Sequence, residues 1–193
     1  TNQLDFKLID EFLGKNILEI EKKVKNFINN INIIIQSKDF FIFKISIKKK
    51  IYGDIITKDK LVSLLIEAKD ECKKTIGDRK LVHMIIDNYF IDDKKFSFFP
   101  HDLKCKNLSI DINFICLSKK YIIQMEKILK NYQISIKNIL FSEYVESFPR
   151  TNKEDMFKMS SKLIDGYNEN EVIVIPKMID NKGFFERFFN LFT

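Results

Sequence analysis

The chain has 193 residues, a formal net charge of +6, 45% hydrophobic residues and 31% charged ones. That is the profile of a folded globular protein with enough chain to bury a core, not of a disordered segment. No apolar run approaches the roughly 20 residues of a membrane span, and the start, Thr1-Asn2-Gln3-Leu4-Asp5-Phe6, lacks the basic-then-apolar order of a signal peptide.

The first residue is not Met, as in a fragment of a longer protein. Cys72, Cys105 and Cys116 are odd in number and show no pair spacing, which reads as reduced thiols in a cytosolic protein. The positive charge invites a nucleic-acid reading. However, Ile, Asn, Lys and Phe are abundant together, the set an AT-rich genome produces without selection for a basic surface. Lys48-Lys49-Lys50 is the only run of three, and it is expected to be a solvated loop.

In chain order, residues 3–12 mix Leu4, Phe6, Leu8, Ile9 and Phe12 with acids and carry no clear period. Residues 15–31 are predicted helical, because Ile17, Ile20, Val24, Phe27, Ile28 and Ile31 keep a 3–4 spacing. Residues 32–36, with the β-branched Ile33, Ile34 and Ile35, could begin a strand, and 39–47 are a strand that ends alternating as Phe43, Ile45, Ile47. Gly53-Asp54 marks a turn. Thr57 then caps a helix with the stripe Leu61, Leu64, Leu65, Ala68 and Cys72, and Gly77 is its stop. Residues 80–91 are a strand or strand pair, and 92–106 a polar loop. Residues 108–117 alternate as a half-buried strand. Ser118 is expected to cap the next helix, which turns Ile122, Met125, Ile128 and Leu129 inward. Residues 134–141 return as a strand. Beyond Glu143 come a break at 149–152, a helix over 153–164, a turn at Gly166, a short strand Val172–Ile175 and a linker at 176–182. The order predicts an α+β fold with helices stacked on one mixed sheet.

The last eleven residues are the most distinctive stretch. Phe184, Phe185, Phe188, Phe189 and Phe192 share one face of a short helix with Leu191 at its edge, and Glu186, Arg187 and Asn190 take the other. Such a face can dock on its own domain, on a partner or in a lipid interface.

The chemistry inventory is thin. His83 lies in an apolar strand and reads as a core or strand-edge histidine rather than a ligand; the other histidine is His101. No second His or Cys lies at a metal spacing, and no Ser or Cys has a nucleophile context. The glycines at 14, 53, 77, 166 and 183 are too isolated to cradle a phosphate. Neither catalytic residues nor cofactor or metal ligands are expected, and the chain is not expected to be an enzyme.

A family resemblance appears in the middle of the chain. Leu81-Val82-His83-Met84-Ile85-Ile86-Asp87-Asn88-Tyr89-Phe90-Ile91-Asp92 resembles the His-x-x-Pro-x-x-Tyr-x-x-Asp segment of the FtsA family, the actin-like bacterial cell-division proteins. Ile86 stands at the Pro position. Thr57-Lys58-Asp59 is similar to the family's Thr-x-x-Asp helix start. Pro100-His101-Asp102-Leu103 falls where the family has Pro-x-Gly-Met, with Asp102 for the Gly and Leu103 for the Met. Residues 119–141 resemble the helix and strand that lead back to the actin core. Gly183-Phe184-Phe185 with Arg187 looks like the opening of the amphipathic helix that ends FtsA proteins. The likeness covers roughly residues 15–145 and, at the extreme C-terminus, 160–193; the ATP-binding half has no match.

The resemblance implies a division of the chain. Residues 1–36 would be a remnant of an actin-like subdomain, 37–148 a strand-helix-strand-strand interaction subdomain, 149–182 a remnant and linker, and 183–193 a membrane-targeting helix. It also implies a peripheral protein on the cytoplasmic face of the inner membrane; ATP belongs to the wider family, but without phosphate loops here no cofactor is expected. Its partners would be lipid and FtsZ or other division proteins. Self-association is expected and nucleic acid is not. Phe184, Phe185, Arg187, Phe188, Phe189, Leu191 and Phe192 would meet the membrane. Phe96, Phe98 and Phe99 would either anchor a partner or cap the sheet edge. The competing expectation is a basic α+β nucleic-acid-binding domain with the Phe-rich tail packed in its core.

Overall fold

The structure, a computed structural model, describes residues 5–149 and 155–172. The fold is α+β, as expected, but its strands divide between two sheets instead of forming one. Strand β1 (Asn30–Ile35) pairs in parallel with β6 (Ser135–Phe141). Strands β2 (Phe41–Lys50), β5 (Asn107–Ser118), β3 (Arg79–Ile91) and β4 (Lys94–Phe96) form an antiparallel sheet in the order β2-β5-β3-β4.

Helix α1 (Phe6–Val24) starts well before the expected residue 15. Asp5 caps it, its Oδ1 accepting from the Lys7 and Leu8 N–H groups. It also stops early. Lys25 turns left-handed at φ 55°, and the Glu21 carboxylate accepts from the Ile28 N–H beyond the end. Phe27, Ile28 and Ile31 keep a helical spacing, but the β-branched run from Ile31 pairs with β6 instead, a tertiary override of the local period.

Helix α2 (Lys58–Ile76) follows its signals closely. Thr57 Oγ1 accepts from the Lys60 N–H at 3.5 Å, and Gly77 ends the helix at φ 54°. Leu64, Ala68 and Cys72 bury against the inner face of the four-stranded sheet, where Met84, Ile86, Ile110, Ile112 and Phe114 complete the main core. The run Lys48-Lys49-Lys50 is not a loop: it is the end of β2, with Lys48 near Asp93 at 3.6 Å and Lys49 bonded to Glu67 at 3.0 Å.

Strand β3 is a single strand of 13 residues with irregularities at Leu81/His83 and Ile86/Asn88. The loop expected over 92–106 opens as a tight hairpin into β4, with Asp92 and Asp93 both at positive φ (45° and 69°). The Asp92 carboxylate then accepts from the Lys106 and Asn107 N–H groups, which hold its pKa below the ordinary aspartate value.

Helix α3 (Lys119–Asn131) begins after Ser118, but the serine side chain makes no capping bond; Lys119 N–H instead donates to the Asp78 carbonyl. Ile122, Met125 and Leu129 face inward as expected. Met125 and Leu129, with α1, β1 and β6, enclose a second core around Ile17 and Ile134, while Ile122 packs with Ile35 and Leu117. A short helix α4 (Ser142–Glu146) was not anticipated. Helix α5 (Met156–Ile164) is capped by Asp155 and packs Met159 and Leu163 on Leu140, Phe141 and Val145. Gly166 makes the expected turn at φ 88°. Of the short strand expected over 172–175, Val172 alone is described, beside an isolated bridge from Glu171 to Ile85.

Candidate functional site

The most concentrated polar chemistry lies where the two sheets meet. Ile86 N–H donates to the Asn170 carbonyl (2.9 Å) and Val172 N–H to the Met84 carbonyl (2.8 Å). These bonds lay Glu171 across β3, beside His83. The histidine is only 4% exposed. Its Nε2 accepts from the Phe141 N–H at 3.0 Å, so the ring hydrogen is on Nδ1, which donates to Glu171 Oε1 at 2.7 Å. The other carboxylate oxygen accepts from the Tyr144 hydroxyl at 2.7 Å, and Asn168 Nδ2 donates to that same hydroxyl at 2.9 Å. Burial, with the Glu171 carboxylate beside it, pushes the Tyr144 phenol well above its ordinary pKa.

This arrangement has the composition of a catalytic relay but not its availability. Both imidazole nitrogens are occupied, and both carboxylate oxygens hold donors. The network joins β3 to the start of α4 and to the 168–171 turn, with Asn170 extending it to the Tyr89 hydroxyl and the Ser97 carbonyl. Tyr89 is pushed up to about 12 by burial. His83 is thus a core histidine, as the sequence suggests. A groove of ≈ 400 Å³ opens beside it between β3 and β6, with Lys69 and Lys80 at its margin and mostly aliphatic walls. Among the described residues, no cluster of His, Cys, Asp or Glu is arranged to hold a metal ion. The three cysteines are unpaired and buried. Cys116 is pushed up to about 12 by desolvation, which makes it a poor nucleophile.

The candidate interface phenylalanines separate. Phe96 and Phe99 are half-buried and pack against the main core, with the Phe99 ring 5.7 Å from Tyr89 and 5.1 Å from His101. Phe98 is 66% exposed. Two of the three thus pack on the sheet's core, and Phe98 is left exposed at the surface. A second exposed apolar group, not foreseen in the sequence, lies at the β2–α2 turn. Tyr52, Ile55 and Leu103 are all exposed there, on segments joined by the Ile55–Lys104 bridge and by the Ile56 N–H to Leu103 carbonyl bond. The signal available in the sequence was a large aromatic directly before Gly53-Asp54.

Phe184, Phe185, Arg187, Phe188, Phe189, Leu191 and Phe192 lie outside the described residues. Among the described residues, no helix is long and apolar enough to cross a membrane. No family model matches the chain, and no curated protein matches it.

Proposed function

We propose that the chain is a non-enzymatic tether and scaffold of the bacterial division machinery, similar to FtsA. It would be held at the cytoplasmic face of the inner membrane by residues 183–193 and would present its antiparallel sheet domain to division proteins. The observation that carries this reading is the succession β2-α2-β3-β4-β5 on one sheet, whose long elements β2, α2, β3 and β5 follow the strand-helix-strand-strand order that the FtsA resemblance implies, with the three-residue β4 added between the last two. The parallel β1–β6 pair flanking it, with α3 leading from β5 to β6, is compatible with a remnant of an actin-like core. The His83 network, whose imidazole nitrogens and carboxylate oxygens are all engaged, fits a structural joint in such a scaffold.

The tail supplies the anchoring physics. Each Phe contributes at most about 1.5–3 kcal/mol when fully buried, less whatever is lost to ordering and incomplete insertion. Arg187, Lys182 and Lys177 add about 1 kcal/mol each at most near anionic headgroups. One helix of this length binds reversibly, so avidity would strengthen the attachment. Phe98 and the Tyr52–Ile55–Leu103 group are the protein-facing candidates.

The nucleic-acid alternative needs unopposed lysines gathered on one sheet face. Instead, on the face away from α2, Lys44 is bonded to Asp87 (2.6 Å) and Ser46 to Asp111 (2.6 Å), while Lys48 lies near Asp93. Acidic partners cancel that footprint. The test is a fluorescent fusion expressed in a dividing bacterium, with and without residues 183–193. A mid-cell band that disperses on truncation supports the proposal; a uniform or nucleoid-associated signal from the full chain counts against it.

A further inference from the structure

The short strand expected from Val172 onward has its first residue placed on β3. Ile86 N–H donates to the Asn170 carbonyl (2.9 Å) and Val172 N–H to the Met84 carbonyl (2.8 Å), on either side of the antiparallel bridge between Glu171 and Ile85. Those two bonds open an antiparallel ladder, with the chain heading toward the N-terminal end of β3. Strand β4 pairs with β3 only from Tyr89 to Ile91. Among the described residues, the ladder partner of β3 over residues 80–84 is β5. The same five residues line the groove of ≈ 400 Å³, together with residues 138–140 of β6 and with Glu171 and Val172 themselves. The groove therefore lies in the path of the chain. Its walls are aliphatic, from Leu81, Val82, Ile139, Leu140, Leu163 and Ile164. The residues that follow Val172 match them: Ile173, Val174 and Ile175 are β-branched and uncharged. Pro176 comes next, and without an N–H it suits the end of such a ladder.

We propose that this groove is the docking site of the chain's own residues 173–175, which extend the ladder along β3 toward Lys80 and seal the seam between β3 and β6. Connection fixes the occupant. Val172 is already bonded to β3, so the next three residues reach the groove with no linker, an advantage that no second molecule shares. The docked segment also sets where the C-terminal tail departs. Seven residues, 176–182, then lead to Gly183, at most about 25 Å of extended chain. Lys69 and Lys80 stand at the margin of the groove. On the membrane reading above, on which this last step alone rests, the short lead turns that end of the molecule toward lipid.

The test is amide hydrogen exchange read by mass spectrometry on the full chain without lipid, at a low and a high protein concentration. It is repeated on a chain lacking residues 183–193 and on two variants of the full chain. The double variant Ile173→Asp with Ile175→Asp places charge in the apolar groove, and Val174→Pro removes a ladder donor without adding charge. The expected result is slow exchange over residues 80–84 and 138–140, unchanged by concentration and by loss of 183–193. Exchange there should be at least tenfold faster in each variant, while α2 and β2 exchange as in the parent. Exchange over 80–84 and 138–140 that is indifferent to both variants overturns the proposal. So does protection that rises with concentration, which gives the groove to a second copy, or protection lost with residues 183–193, which gives it to the Phe-rich tail. No lipid is present, so failure here is distinct from failure of the membrane reading, which vesicle binding decides.

Discussion

Replacing His83 by leucine separates a structural joint from an idle core residue. Leucine fills a similar space but neither accepts from the Phe141 N–H nor donates to Glu171. Phe141 is buried, so water does not replace the lost acceptor, at a cost of about 1–3 kcal/mol. The Glu171 side chain is 13% exposed and loses one of its charge-assisted donors, worth about 1.5–3 kcal/mol. Packing on the Tyr144 ring, whose centroid lies 4.5 Å from that of the imidazole, offsets a little of this. The expected loss is about 3–5 kcal/mol, a large share of the roughly 5–15 kcal/mol that holds an ordinary domain together. Urea unfolding followed by far-ultraviolet circular dichroism measures it, with an unchanged m-value as the sign that the same transition is being compared. Glu171→Gln keeps an acceptor and should lose less. A His83→Leu midpoint within about 1 kcal/mol of the parent would refute the reasoning, since the Phe141 and Glu171 bonds would then contribute almost nothing.

Three other outcomes follow from the geometry. Gly77→Ala should cost about 1–2 kcal/mol in the same unfolding assay, because φ 54° with ψ −128° suits glycine alone even though the surrounding space is open. Phe99→Ala should lower stability by about 1–3 kcal/mol through its contact with Tyr89 and the core, whereas Phe98→Ala should leave it within about 0.5 kcal/mol. Alkaline stability should fall between pH 9 and 12. Cys116 and Tyr89 keep their protons in the folded state up to about 12, while the unfolded chain releases them from about 9 and 10, so stability declines by up to about 1.4 kcal/mol per pH unit for each group. Cys116→Ser should flatten that slope in a pH series of urea midpoints.

Much of the architecture was legible because its determinants are local. Thr57, the Leu61–Cys72 stripe and Gly77 bracket α2, and the alternation through Leu108, Ile110, Ile112 and Phe114 marks β5. The larger misreadings arise from contacts distant in sequence. Helix α1 ends at Val24, short of Ile31, which β1 takes into a pairing with Ile136, 105 positions away, and the division into two sheets depends on that pairing. Likewise, His83 could be read as a core residue from its apolar neighbours, but its partners could not. Glu171 is 88 residues further on, and Phe141 contributes a backbone N–H that no side chain announces. Asp5, a short acidic cap before a stretch without clear period, was the local signal available for the true start of α1.

Liposome co-sedimentation tests the tether reading most directly. The full chain and one ending at Lys182 are compared on vesicles of anionic and of neutral phospholipid. The expected result is that the full chain pellets with anionic vesicles, less with neutral ones, and that the shortened chain stays in the supernatant with an unchanged melting temperature. A full chain that pellets with neither, together with a shortened chain that melts lower, would place the Phe-rich end in the protein's own core and contradict the account.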